Sequence, residues 1–320
     1  MLMLSVVDSF SAYSNMKGHL PVLAEQTIEL LEPQKGGLYI DCTFGGGGHT
    51  ELLLEAGAGK VIGLDQDPSA VARADALKVK YGERFEFRRM NFRDIDQLEE
   101  MEIEGFLFDF GVSSFQLDEI DRGFSFRGDA PLDMRMNPEA GLSAADWLAE
   151  ATREQLIEAV RNYGEERNWR RIVDTIIEKR GSSAITTTTE LADLVLSCTP
   201  ARIRFASKLH PATKTFQGIR IVVNDEISVI EEALPIAFER LRTGGRLCVI
   251  SFHSLEDRIA KRLFRHLAGR PEGKKDNRTQ DQREVKAELV GRRPTTASDK
   301  EIADNPRSRS AKLRALRKVI

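Results

Sequence analysis

Four short apolar runs recur at steps of roughly twenty residues: Leu38–Thr43, Val61–Asp65, Phe85–Met90 and Phe106–Phe110. Each has the length of a strand, and the gaps between them have room for a helix. The gap Glu51–Ala58 is rich in Leu and Ala, and Pro68–Lys80 sets Val71, Ala74 and Leu77 on one helical face. Strands alternating with helices at this spacing restrict the chain to an α/β fold with a parallel sheet and crossover helices.

A fifth strand, Arg246–Phe252, comes only after a long helical interval. Thr152-Arg-Glu-Gln155 reads as a capping box, and Trp169, Ile172, Val173, Ile176 and Ile177 form a buried helical stripe. Thr187-x-x-Glu190 opens another helix that Pro200 stops. A long helical stretch from about Thr213 runs to Thr243-Gly244-Gly245, with Pro235 expected to kink or divide it. The expected organisation is a discontinuous sheet domain, 1–114 with 211–320, interrupted by a helical domain at 115–210. Because that insert leaves the sheet after the fourth strand, at the edge where open α/β folds bind ligands, it is expected to help choose the substrate. After the fifth strand, Ser254-Leu-Glu-Asp257 should cap a helix with Ile259, Leu263 and Leu267 inward. Gly269–Thr296 reads as a polar mobile loop.

The most informative segment is Asp41-Cys-Thr-Phe-Gly45-Gly-Gly-Gly-His49. Strand, glycines, then helix lets backbone N–H groups approach a nucleotide-like ligand. Asp65 ends the next strand, where a carboxylate accepts ribose hydroxyls. The dinucleotide pattern Gly-x-Gly-x-x-Gly fails at Thr50. An S-adenosylmethionine turn, an acid followed by glycines two, four and six places on, is met at Gly45 and Gly47 but not at Thr43. The turn favours S-adenosylmethionine and leaves a nicotinamide cofactor open. Phe92, just past the third strand, can lie against adenine or in the core.

The fourth strand ends in Asp109-Phe-Gly-Val-Ser-Ser-Phe-Gln116, without the Pro-Pro-Tyr common in amine methyltransferases. Further motifs follow in order: Arg122-Gly-Phe-Ser-Phe, Pro131-Leu-Asp-Met-Arg-Met136, Tyr163-Gly-Glu-Glu, His210-Pro-Ala-Thr-Lys-Thr-Phe-Gln217, Ser251-Phe-His-Ser-Leu-Glu-Asp-Arg258 and Asn305-Pro-Arg-Ser-Arg-Ser310. With the glycine turn, this set closely resembles the ribosomal small-subunit RNA methyltransferase H family, of the MraW type. The resemblance runs from His19-Leu-Pro-Val-Leu to the tail.

It implies a class I S-adenosylmethionine-dependent methyltransferase sheet with an inserted helical domain. It also implies methyl transfer to N4 of one cytosine in 16S rRNA at the decoding centre, within the small subunit or a late assembly intermediate. Carried over by motif, the cofactor contacts fall on Gly47, Gly48, His49, Asp65, Phe92, Asp109 and Gln116. Two departures stand out: Phe115 where relatives often have Pro, and Gly46 where a larger residue is also seen.

The chemistry asks for alignment of a delocalised amine with an electrophilic methyl, within roughly 3–3.5 Å. It also asks for an acceptor for the developing N–H charge. Asp109 is the candidate catalytic carboxylate. Asp133, Arg135, His253 and Ser254 are rivals for positioning the acceptor. No His, Cys or acid has metal-ligand spacing to another, so no catalytic metal is expected.

The net charge of −3 is uneven. Residues 258–320 hold 19 Lys and Arg against 8 Asp and Glu, so the body is acidic and the carboxyl end basic. Lys261, Arg262, Arg265 and the Arg307–Lys318 tail are expected to follow an RNA backbone. Cys42, Cys198 and Cys248 are scattered, no run approaches the ~20 apolar residues of a membrane span, and Leu2–Val7 lacks the basic flank of a signal peptide. A cytoplasmic enzyme, monomeric or homodimeric, is the expectation. A nicotinamide-dependent oxidoreductase and a non-enzymatic RNA-binding assembly factor are the competing classes.

Overall fold

The computed structural model describes residues 20–180, 184–206, 210–273 and 276–320; Leu2–Val7 and His19 lie outside the described residues. The chain divides into two compact units, 1–111 with 228–320, and 112–227.

The first unit is built on a seven-stranded sheet. Its strands are β1 (Leu38–Asp41), β2 (Lys60–Asp65), β3 (Phe85–Arg89), β4 (Ile103–Asp109), β5 (Leu241–Ser251), β6 (Ala287–Thr295) and β7 (Lys312–Lys318), in the order β3-β2-β1-β4-β5-β7-β6. The first five run parallel, and β7 is antiparallel to both β5 and β6. This is the class I methyltransferase sheet. Alternate residues feed opposite layers, as the strand pleat dictates. Ile40, Ile62, Phe106, Phe108 and Val249 pack against Ala233, Leu234 and Phe238 of the helix Glu226–Arg240 and Phe264 of the helix Ser254–Leu267. Tyr39, Val61, Leu107, Cys248 and Ile250 pack against Ile28, Leu53 and Ala74 from the helices Ala24–Leu31, Gly48–Glu55 and Ala70–Tyr81.

Several local expectations change. Val71 is exposed; Ala70 and Ala74 are the buried positions of their helix. The stretch after Thr213 divides at Asn224–Asp225, and Pro235 lies within the second helix. Thr243-Gly244-Gly245 is no helix stop. The helix ends at Arg240, Leu241 already pairs with Ile103, and the glycines occupy a register shift in the β4–β5 ladder. His253, not Ser254, caps the following helix in a reciprocal capping box with Glu256.

The largest correction concerns the carboxyl end. Gly269–Thr296 is not all loop, because Ala287–Thr295 is a strand. The basic tail holds a strand as well, because Lys312–Arg317 pairs along β5 from Ser251 to Arg246. Leu313, Ala315 and Leu316 are buried. Arg314 Nε donates to Asp257 Oδ1 at 2.7 Å, with Lys312 3.4 Å from the same carboxylate. Against the burial that would raise it, Arg314 and Lys312 hold the Asp257 carboxyl below its usual range.

In the second unit every named element is helical, with Leu132, Leu148, Leu156, Val160, Ile172, Val173, Ile176, Leu191, Val195 and Ile219 in its core. The capping boxes at Thr152 and Thr187 form as expected. Gly218 is obligatory: a Cβ there would lie 2.0 Å from the Ala159 carbonyl oxygen, so two backbones meet directly.

Candidate active site

Three parallel strands end in aspartates on one edge of the sheet: β2 in Asp65, β1 in Asp41 and β4 in Asp109. The strands are adjacent, and Asp41 pairs with Gly63 and Leu107, so Asp65 and Asp109 lie two residues further along the same edge although the three are far apart in sequence.

Asp41 knits the turn. Its Oδ1 accepts the Thr43 N–H at 3.2 Å and its Oδ2 accepts the Thr50 hydroxyl at 2.7 Å. Burial pushes its carboxyl up, opposed by His49 and by the bonds from Thr50 and Thr43. Thr43 Oγ1 in turn accepts the Asp109 N–H at 2.7 Å, tying β1 to the end of β4.

The glycines divide in purpose. Gly47 stands at φ +80°, and a Cβ there would lie 2.9 Å from the Phe44 ring; a Cβ on Gly48 would press on Pro21. Those two are therefore demanded by packing as well as by any ligand. Gly45 carries the link to the acid of β2. Its N–H donates to Asp65 Oδ2 at 2.8 Å, while Asp67 N–H donates to Oδ1 at 2.9 Å. Arg73 Nε donates to the Gly45 carbonyl at 2.9 Å. Burial pushes Asp65 up to about 6 despite both backbone donors. Each of its oxygens keeps a second lone pair with which to accept a hydroxyl.

His49, in the first turn of its helix, is 6% exposed and sets Nε2 3.6 Å from Asp109 Oδ2. Among the described residues, neither ring nitrogen nor the buried Asp109 Oδ1 has a hydrogen-bond partner. A buried polar atom left so costs about 1–3 kcal/mol. Phe92 is half-buried, edge-on to Phe108 at 5.5 Å and 6.0 Å from Phe110. The core reading of Phe92 is thus true of one side of the ring. Beside it, Asn91 Nδ2 donates to Gln66 Oε1 at 3.0 Å, joining the turns after β3 and β2.

The structure therefore gathers Gly47, Gly48, His49, Asp65, Phe92 and Asp109 in the first unit. Sequence reasoning missed Thr50, Gln66, Arg73 and Asn91. Only Thr50 left a signal, as the polar residue where the dinucleotide pattern wants glycine. His253 accepts the Glu256 N–H through Nδ1 at 3.5 Å, the work of a cap.

In the second unit, Gln116 Oε1 accepts the Ser113 N–H at 3.0 Å in a capping box for the helix Ser114–Asp118. Arg135 grips Asp133 with two bonds, at 2.9 and 2.6 Å, and so Asp133 and Arg135 satisfy each other. Arg122 and Asn224 hold the same segment through the Arg135, Met136 and Met134 carbonyls. His210 Nδ1 accepts the Ala212 N–H at 3.2 Å and its ring stacks on Phe126, which makes it a loop-orienting residue.

A family model described as the MraW methylase family matches residues 16–319. The chain belongs to that family. Among the chain's relatives, a protein of Heliobacterium modesticaldum is named "Ribosomal RNA small subunit methyltransferase H". It is 46% identical over 315 residues, covering 94% of this chain and 98% of its own. A protein of the same name from Magnetococcus marinus is 45% identical over 312 residues, covering 94% and 98%. A solved structure titled as an rRNA methylase from Streptococcus thermophilus overlays 95% of this chain and 99% of its own, at a TM-score of 0.43 and 11% identity, too distant to add to the assignment.

Proposed function

We propose that this chain is an S-adenosylmethionine-dependent methyltransferase that modifies N4 of a specific cytosine in 16S rRNA at the decoding centre of the small ribosomal subunit. The observation that carries the reading is the edge where Asp65, Asp41 and Asp109 converge beside the glycine turn, in a chain of the MraW methylase family. The donor set fits the cofactor: a carboxylate pinned at the turn for ribose hydroxyls and a half-buried ring for adenine. Asp65, Phe92, Gly47 and Gly48 would hold it, with the His49 backbone in the turn, while the Asp109 carboxylate is kept for the amine.

S-adenosylmethionine supplies a methyl already electrophilic on its sulfonium. The protein's work is then to orient the amine and take its proton. Asp109 suits both tasks, since its side chain is the more exposed of the His49–Asp109 pair, at 23%. Its carboxylate would accept an N4–H, align the lone pair, and receive the proton released as the C–N bond forms and the methyl–sulfur bond breaks, leaving a neutral thioether. The helical unit, 112–227 where the sequence suggests 115–210, serves as the substrate-recognition domain, and 1–111 with 228–320 as the cofactor domain. Reaching N4 inside folded rRNA calls for flipping the base out, with the exposed Lys261 and Arg262 holding the phosphate backbone. The reaction belongs in the cytoplasm, where the small subunit is assembled.

Calorimetric titration discriminates the cofactor: S-adenosylmethionine binds and NAD does not. Labelled methyl transfer to small subunits lacking the modification then separates an enzyme from a cofactor-fold binder.

A further inference from the structure

The transferase reading, on which this inference rests, leaves one buried side chain without a task. The His49 backbone has a place in the turn, but its imidazole satisfies nothing among the described residues. We propose that the His49 imidazole is a positioning residue for Asp109. Its Nε2–H donates to the Asp109 carboxylate and fixes the plane in which that carboxylate meets the amine.

Three observations select this pairing. Nε2 is 3.6 Å from Asp109 Oδ2, so a small ring shift closes a hydrogen bond. The other carboxylate facing His49 is Asp41, whose Oδ1 already accepts the Thr43 N–H and whose Oδ2 already accepts the Thr50 hydroxyl. Asp109 Oδ1 has no partner among the described residues, and Oδ2 is the oxygen nearest the ring. The two residues are also pinned to one framework, since Thr50 next to His49 bonds Asp41 and Thr43 bonds the Asp109 N–H. Exposure divides the labour: His49 at 6% is too enclosed to meet a base, whereas Asp109 is open enough to do so.

The test uses the full chain with selectively ¹⁵N-labelled histidine, the His49 signals being identified by their loss in His49→Gln. With S-adenosylmethionine bound, the expected result is a protonated Nε2 whose resonance moves in Asp109→Asn. Turnover supplies the second readout. His49→Leu should lower kcat at least ~10-fold with cofactor Kd changed less than ~3-fold, and His49→Gln, which keeps an N–H donor, should recover most of the loss. A Nε2 signal indifferent to Asp109→Asn would overturn the proposal, as would cofactor affinity falling in parallel with kcat. A wild-type chain that binds cofactor but transfers nothing would refute the transferase reading, while the nuclear resonance result would still decide the pairing.

Discussion

The N–H of Gly45 donates to Asp65 Oδ2 at 2.8 Å, so the glycine turn after β1 and the acid at the end of β2 are one device. The carboxylate that would accept ribose hydroxyls is the same one that holds the turn in shape. Damage to either should therefore appear in both.

The first prediction concerns pH. Burial raises Asp65 from its ordinary 3.8 to about 6, so the group favours folding most below pH 4, and that contribution is lost as pH rises through 6. Cofactor binding runs the other way, because the protonated acid loses an acceptor. Affinity for S-adenosylmethionine should weaken as pH falls from 7 to 5, measured by calorimetry. Asp65→Asn should bind weakly throughout that range.

Asp109→Ala should cost methyl transfer at least ~100-fold while cofactor Kd shifts only a few-fold, as expected of a proton acceptor for the amine. Single-turnover kinetics and calorimetry on the same preparation check this. Parallel loss of both would reduce Asp109 to a cofactor contact.

Gly47→Ala places a Cβ against the Phe44 ring in a left-handed backbone. It should destabilise the chain by about 1–3 kcal/mol, read as a lower denaturation midpoint with unchanged denaturant slope.

The ion pair between Arg314 and Asp257 joins β7 to the helix Ser254–Leu267. Asp257→Asn should cost about 1–3 kcal/mol at pH 7. Because the Asp257 carboxyl sits below its usual range, that contribution is present above the ordinary carboxylate pKa and is lost as pH falls through the folded value. The two proteins should converge in stability under strongly acid conditions.

Much of this architecture was legible in the sequence, and the failures have physical causes. Ile40, Ile62 and Phe106 belong to strands buried on both faces, and such strands announce themselves as continuous apolar runs. β7 does not. Lys312-Leu-Arg-Ala-Leu-Arg-Lys reads as a basic tail because the partner that neutralises Arg314 lies 57 residues away, out of reach of any local pattern. β6, with Glu288, Arg292 and Arg293 along it, is hidden for a similar reason.

The site divides the same way. Asp41, Asp65 and Asp109 can be picked out as strand-end acids. The bonds from Thr50 to Asp41 and from Asn91 to Gln66 are products of the folded edge alone. The capping role open to His253 in the sequence is met by its Nδ1, which accepts the Glu256 N–H.

The most direct measurement is nucleoside identification after methyl transfer. Small ribosomal subunits lacking the modification would be incubated with the chain and S-adenosylmethionine, and the digested rRNA resolved by mass spectrometry. The account predicts N4-methylcytidine at one position in 16S rRNA. A methyl group on another nucleoside, or no methylation despite proven cofactor binding, would contradict it.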